Sequence, residues 1–499
     1  MKRAHRDLDP NYKGSAKLLR QNNLITEIYC KIWLPRHVYE RPFLKFESMS
    51  KAHEGLPSPL PYDAVLEVNG FDGKRRNTID AKRMFIEEFK VSYNSDGDTP
   101  LITFQGQPES VIDYFYQDSV DNDSRICHVV LDLTENFLLT ACKGITRSYT
   151  GEVTIENVRT HISSVGRFNK VVFDKHFYDV ELKDGGLASY GKQVATFNID
   201  FSVVDVETFE RLIKPAIDDY LLLASFAANQ RTNIVSWSVS DNKSLVQAWY
   251  GNISVDDTLN EKKHSHHDVL IDIRDFEEFM MVAMKTFNRF NDQDKDLVRQ
   301  AIFKVLPKRS RTVESAILTL FSALESIILK HRRDKNLEYT ISSSSNWKKL
   351  GKALRMTVAA NNSLFPSEAH MKMLLEMLPS LKRVPLKDAF NSYVRDVLDL
   401  SDLWPVFGPA EGATLIDVRN KLIHGDLFDD DRFLSLCHAM DNLECIVKRL
   451  ILFILGWDIE KSNESKKILQ KWGWIPNANL SKDMLALDER SPKTEGEDA

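Results

Sequence analysis

Hydrophobic and polar positions change rhythm once along this chain, close to residue 260. Before it, short runs rich in β-branched and aromatic residues recur and read as strands: 24–34, 64–68, 85–91, 126–131, 153–155, 171–173, 178–182 and 196–201. Residues 94–98 and 183–186 have the composition of turns, and 56–61, with three prolines, reads as a loop. One helix interrupts the series over 206–228, its apolar stripe running through Phe209, Ile213, Ile217, Tyr220 and Leu221. Pro215 is expected to kink it. A hairpin from 233–237 to 245–250 follows. Many short strands with few helices between them predict a sandwich or barrel.

Residues 256–267 are polar and read as a linker, after which apolar residues recur at helical spacing. Helices are expected over 275–291, 295–305, 312–331 and 431–455, with shorter helical pieces at 347–350 and 371–378. Residues 342–345 read as a flexible link. The fold class is therefore α+β. A β-rich N-terminal domain spans 1–260, an all-α bundle spans 268–457, and a polar tail expected to be disordered covers 458–499.

Composition narrows the function classes. The chain has 499 residues, 43% hydrophobic and 28% charged, and no run of eighteen apolar residues. Its start, Met1 to Asp7, is basic but lacks the apolar core of a secretory signal. Five scattered cysteines without a C-x-x-C fit a reducing compartment, so the expectation is a cytoplasmic protein with no membrane, no cofactor and no metal. The net charge of −6 does not mark a nucleic-acid binder, but its distribution says more: Arg299 to Arg355 holds 13 Lys+Arg against 4 Asp+Glu. Lys308, Arg309 and Arg311, then Arg332 and Arg333, then Lys348 and Lys349 form clusters of the kind that attract phosphate backbones. A solvated helix face balanced by acids elsewhere is the competing reading.

Three motifs mislead. Residues 186–192 match G-x-x-x-x-G-K, but Gln193 stands where a phosphate loop needs Ser or Thr, and a strand is expected there. His264, His266, His267 and Asp268 lie in the polar linker without a distant partner ligand. Cys437 and His438 are helix neighbours on divergent faces, so they do not form a nucleophile pair.

The chemistry concentrates in the run from Glu411 to Gly425. Leu415, Val418 and Leu422 predict an amphipathic helix that Gly425 ends. Arg419 and His424, separated by four residues, are roughly 140° apart on an unbroken helix, and fraying at the C-terminus would let them converge. This stretch, with Asn420 after the arginine, resembles the R-x4-6-H signature of HEPN domains, helical bundles many of which are ribonucleases. Residues 314–326 resemble the opening helix of the ApeA-like branch of that family, whose members act in anti-phage defence.

The resemblance implies a HEPN ribonuclease whose two Arg/His helices face each other in a homodimer or higher homo-oligomer. It implies metal-independent transesterification of RNA, with tRNA one candidate target, and abortive infection as the outcome. Arg419 and His424 would be catalytic with Asn420 beside them, and Glu325 would orient His424 or neutralise Arg419. For Glu325 the bland alternative is an ion pair with Lys330, Arg332 or Arg333. The N-terminal domain would restrain the site until a phage-derived activator arrives. The alternative is a non-catalytic HEPN dimerisation or RNA-binding scaffold with its specificity in the N-terminal domain.

Overall fold

The computed structural model describes residues 10–20, 23–35, 41–49, 64–72, 75–93, 100–116, 126–139, 145–147, 153–155, 158–165, 168–181, 187–200, 209–240, 244–250, 269–307, 312–397, 400–408, 412–425, 428–471 and 480–488. The chain divides into two compact units, 1–265 and 266–499, an antiparallel sheet assembly followed by a helical region.

The first unit contains β1 (Tyr12–Arg20), β2 (Asn23–Trp33), β3 (Phe43–Met49), β4 (Ala64–Asp72), β5 (Arg75–Tyr93), β6 (Pro100–Tyr116) and β7 (Ile126–Leu133). It continues with β8 (Ile145–Arg147), β9 (Val153–Ile155), β10 (Val158–Val165), β11 (Phe168–Glu181) and β12 (Leu187–Asp200), then α1 (Lys214–Ala227), β13 (Ile234–Ser240) and β14 (Ser244–Tyr250). Six of these strands close on themselves. β1 pairs with β2 and β4, β2 with β3, β3 with β6, β6 with β5, and β5 with β4, all antiparallel. Alternate residues of each strand fill the ring: Leu18, Cys30, Ile32, Phe46, Leu66, Ala81 and Val111 are fully buried there or nearly so. Phe46 lies opposite Phe104 and stacks on it with ring centroids 5.1 Å apart. Closure satisfies backbone groups that an open edge would leave for another chain.

β6 also joins a second layer. Residues 101–106 pair with β3, whereas 110–116 pair with β14, and Pro108, which has no N–H to give, stands between the two pairings. From β14 the sheet runs through β13, β7, β12 and β11 to β10. α1 lies on it, with Tyr220 stacked on Phe173 at 5.5 Å. Beneath α1, fully buried Asn136 is satisfied on every side. Its amide donates to Thr232 Oγ1 (2.8 Å) and the Ala224 carbonyl (3.2 Å), and its backbone exchanges two bonds with Gln193. Gln193 lies within β12, so the G-x-x-x-x-G-K match is strand rather than phosphate loop.

Asp113 of β6 is less comfortable. Its Oδ1 is buried without a hydrogen-bond partner among the described residues, and burial pushes its carboxyl up from 3.8 to about 6. The folded state therefore holds the proton more tightly than the unfolded chain, so stability is lost as pH rises from about 4 through about 6. Asp113→Asn is expected to raise stability at pH 8 by on the order of 2 kcal/mol and to leave it unchanged at pH 3.5 (both approximate). Urea midpoints at the two pH values check this, and a variant that keeps the wild-type pH slope would refute it.

The helical unit contains α2 (Phe276–Phe287), α3 (Asp292–Val305), α4 (Val313–Asp334), α5 (Ser344–Ala360), α6 (Glu368–Met377), α7 (Leu386–Val397), α8 (Leu415–Ile423), α9 (Phe433–Ile454), α10 (Lys466–Lys471) and α11 (Leu480–Asp488). α4 is central: α3, α7, α8 and α9 all pack on it. Its Ile317, Leu320, Phe321, Leu324, Ile327 and Ile328 are buried at three- and four-residue spacing, one apolar stripe serving several neighbours. Among the described residues no helix is long and apolar enough to cross a membrane.

Three expectations need correction. Pro215 does not kink a long helix. It sits in the first turn of α1, where its missing N–H costs nothing, and a π-helical turn, Phe209–Ile213, precedes it. Residues 342–345 are a helix start rather than a flexible link: the Ser343 hydroxyl accepts the Asn346 N–H and caps α5. The segment after 457 is not a disordered tail throughout. A 3₁₀ turn, α10 and α11 form there, and Met484 and Leu487 of α11 are buried. A single nine-residue helix whose apolar residues, apart from Leu480, fall in the consecutive run 484–487 is too weak a sequence pattern to announce a docked element. Residues 256–267, 56–61, 94–98 and 489–499 lie outside the described residues.

Candidate functional site

α8 is set by its flanks. Thr414 caps it, and the Asp417 carboxylate accepts the Thr414 N–H (2.9 Å) and hydroxyl (2.5 Å), a closed box at the helix start. The preceding loop holds this start in place. Leu415 and Ile416 donate to the Pro405 and Val406 carbonyls at 3.0 and 3.2 Å, and the buried Trp404 indole donates to the Ala413 carbonyl at 2.9 Å. That loop is bolted to α9 through Arg449 and Asp402, a bidentate pair at 2.9 and 2.8 Å with both side chains almost fully buried. On the other flank α11 comes so close that a Cβ on Gly412 would lie 2.5 Å from the Met484 carbonyl carbon. Only glycine fits there.

At its far end, α8 runs regularly to His424, whose N–H donates to the Asn420 carbonyl (3.0 Å), and Gly425 turns the chain away with φ +83°. Because the helix does not fray before His424, Arg419 and His424 do not converge. His424 is exposed and its imidazole has no partner among the described residues. Arg419 instead reaches α4. Its Nη2 donates to Glu325 Oε1 at 3.0 Å, its Nη1 lies 3.4 Å from Asn420 Oδ1, and its guanidinium stands 5.9 Å from the Phe321 ring centroid. The structure thus joins Arg419, Asn420 and Glu325, with His424 five residues on, on a different face of the helix end and open to solvent.

Further cations surround Glu325. Burial lowers the Lys304 ammonium from its ordinary value, and Glu325 partly restores it, while Lys304 Nζ donates to Ser322 Oγ at 2.9 Å. Arg332 is lowered by burial and by Arg383 and raised by Glu325 and Glu338, and its Nε is buried without a hydrogen-bond partner among the described residues. Lys304 and Arg383 were not singled out from the sequence. Lys304 is one of several charged residues on α3, and Arg383 has only Lys382 beside it, so neither carries a local signal. The other possible partners of Glu325 are engaged elsewhere: Lys330 with Asp334 at 2.7 Å, and Arg333 with Glu338 at 3.2 Å. Lys348 and Lys349 stand exposed on α5, whereas Lys308, Arg309 and Arg311 lie outside the described residues.

Cys437 and His438 are not a nucleophile pair. His438 Nδ1 lies 2.8 Å from Asp483 Oδ2, and Ser435 donates to the other oxygen at 2.8 Å, so this cluster docks α11. Burial pushes the Cys437 thiol up, away from thiolate chemistry. His264, His266, His267 and Asp268 are outside the described residues, and no group of three or more His, Cys, Asp or Glu able to hold a metal occurs among those described.

No family model, curated protein or solved structure matches this chain. The functional reading therefore stands on the residues and their geometry.

Proposed function

We propose that the chain is a HEPN-type endoribonuclease of anti-phage defence, cleaving RNA by metal-independent transesterification at Arg419 and His424. The observation that carries this is one short helix bearing a guanidinium held by Glu325 and, at its glycine-capped end, a solvent-facing imidazole without a partner among the described residues. RNA supplies its own nucleophile. The 2′-oxygen attacks phosphorus while a base takes its proton, the P–O5′ bond breaks, and an acid protonates the leaving 5′-oxygen. The products are a 2′,3′-cyclic phosphate and a 5′-hydroxyl. Histidine titrates near neutrality and serves as base or acid. Arginine remains charged and forks onto two phosphate oxygens, stabilising the pentacoordinate state.

One chain provides one such histidine, so a second copy supplies the other proton carrier in a homodimeric site. Open exposure of His424 suits that arrangement. Glu325 acts through Arg419 as a positioning residue. The N-terminal unit restrains the site until a phage-derived cue arrives. A second reading has one observation in its favour. With Arg419 engaged by Glu325 and not joined to His424, the bundle also fits a non-catalytic dimerisation or RNA-binding scaffold.

Incubating wild type and His424→Ala with total RNA and tRNA in EDTA, with and without phage lysate, separates the two. Cyclic-phosphate ends from wild type alone support the ribonuclease, and their appearance only with lysate supports restraint. Binding without cleavage in every arm supports the scaffold. A further expectation concerns Glu325→Gln. The pair is partly exposed (28% and 43%), so stability should move by less than about 1 kcal/mol. The maximal cleavage rate should nevertheless fall about tenfold, with KM moved by less than about twofold. An unchanged rate would remove Glu325 from the site.

A further inference from the structure

Residues 338–384 form a protruding loop of helices tied at its neck. Thr340 donates to the Lys382 carbonyl at 2.9 Å, Val384 donates to the Glu338 carbonyl at 3.3 Å, and Tyr339 bridges Arg383. Beyond the neck, α5 packs on α6 and on the 3₁₀ turn Leu378–Lys382, and neither helix has a fully buried residue. α5 turns its half-buried positions, Trp347, Gly351, Leu354 and Val358, toward these neighbours. Its solvent side carries Lys348, Lys352 and Arg355 at i, i+4 and i+7, with Lys349 beside them, and the helix contains no acid.

None of these four cations has an ion pair or hydrogen bond among the described residues. Five cations elsewhere in the same unit are paired, Lys330 with Asp334, Arg333 with Glu338, Lys448 with Glu444, Arg449 with Asp402 and Lys461 with Glu278, whereas α5 gathers these four, without a partner among the described residues, on one helix that has no acid of its own. Like charges at i, i+4 on a helix repel modestly, and an outside polyanion relieves that repulsion.

We infer that α5 is a backbone rail for a folded RNA, engaging consecutive phosphates through Lys348, Lys352 and Arg355 while the strand continues toward Arg419. The inference rests on the ribonuclease or RNA-binding reading above and names its substrate class as structured RNA rather than short single strands. Seven residues of helix rise about 10 Å, which spans roughly three phosphates along one strand of a duplex. The path to the site is itself cationic. Arg383 lies in the neck, it acts on Arg332, and Arg332 in turn feels Glu325, the partner of Arg419. An anionic membrane suits α5 less well. An interfacial helix turns its apolar face outward, whereas α5 packs Trp347, Leu354 and Val358 inward and leaves Leu350 and Met356 as its exposed large apolar side chains among four cations.

The test uses the full chain carrying Lys348→Gln, Lys352→Gln and Arg355→Gln together, with a circular dichroism melt to check that it folds. Binding of tRNA and of a short single-stranded RNA is measured across a salt series, alongside vesicles rich in phosphatidylserine. For tRNA the expected result is an affinity loss of about tenfold or more and a salt slope shallower by about 2–3. The short RNA should change little. Unchanged tRNA affinity and slope, with wild type binding normally, overturn the rail and leave the proposed function standing. A wild type that binds no RNA overturns both. Loss of vesicle binding with tRNA binding intact replaces the RNA by a lipid surface and overturns the rail. If the triple variant melts early, Lys352→Gln alone is compared, with a slope change of about one expected and no change overturning the proposal.

Discussion

His424→Ala is expected to lower RNA cleavage by about 10²–10⁴-fold, the range for losing a general acid or base, while RNA affinity stays within about twofold. The geometry separates the two effects. The imidazole is exposed and makes no hydrogen bond or ion pair among the described residues, so truncating it removes no contact that holds the fold. Surface changes of that kind move stability by roughly 0.5 kcal/mol or less. A single-turnover assay with excess protein, read beside a binding isotherm and a melt, distinguishes the outcomes. Lost cleavage with retained binding fits proton transfer. Retained cleavage would remove His424 from the chemistry, and lost binding would make it a contact residue. Arg419→Ala should behave differently. It removes positive charge from the phosphate and strands the Glu325 carboxylate beside Phe321, so both rate and affinity are expected to fall.

The largest expected effect on stability lies behind the site. Asp402→Ala removes both oxygens that receive the Arg449 guanidinium and leaves a cation with a 3% exposed side chain inside the bundle. Breaking such a pair from one side costs about 3–5 kcal/mol. Arg449 would keep only its bond from Nε to the Glu464 carbonyl at 2.8 Å. Because Asp402 precedes the loop whose Pro405 and Val406 carbonyls receive the first N–H groups of α8, the damage should reach Arg419 as well. Denaturant midpoints check the cost. The double substitution Asp402→Leu with Arg449→Met should recover most of the loss, since two apolar groups leave no charge stranded. No recovery would mean that the pair acts through geometry that packing alone does not replace.

Local patterns are legible where one element's own residues carry the information. The periodicity of Leu415 and Val418 and the glycine after His424 specify α8 and its end, because burial of an i, i+3 stripe and a left-handed cap depend on near neighbours in sequence. The stripe of α4 and the hairpin of β13 and β14 were legible for the same reason. β6 was not. Gly106, Pro108 and Glu109 look like a turn, yet they lie within a strand because β5 supports it along its whole length. β1 was equally obscure, since what makes it a strand is its pairing with β2 on one edge and β4 on the other.

The candidate site divides in the same way. The sequence by itself determined a helix bearing Arg419 and His424, its glycine stop, a neighbouring helix with Glu325 at the border of its stripe, and an excess of positive charge over 299–355. Only the tertiary structure decided that Glu325 meets Arg419 across 94 positions, that Arg333 is taken up by Glu338, that Lys304 and Arg383 join the field around the site, and that the cations of α5 go unmatched. The physical reason is range. Propensity, capping and amphipathic periodicity act within a few residues along the chain, whereas ion pairing and desolvation depend on which surfaces packing brings together.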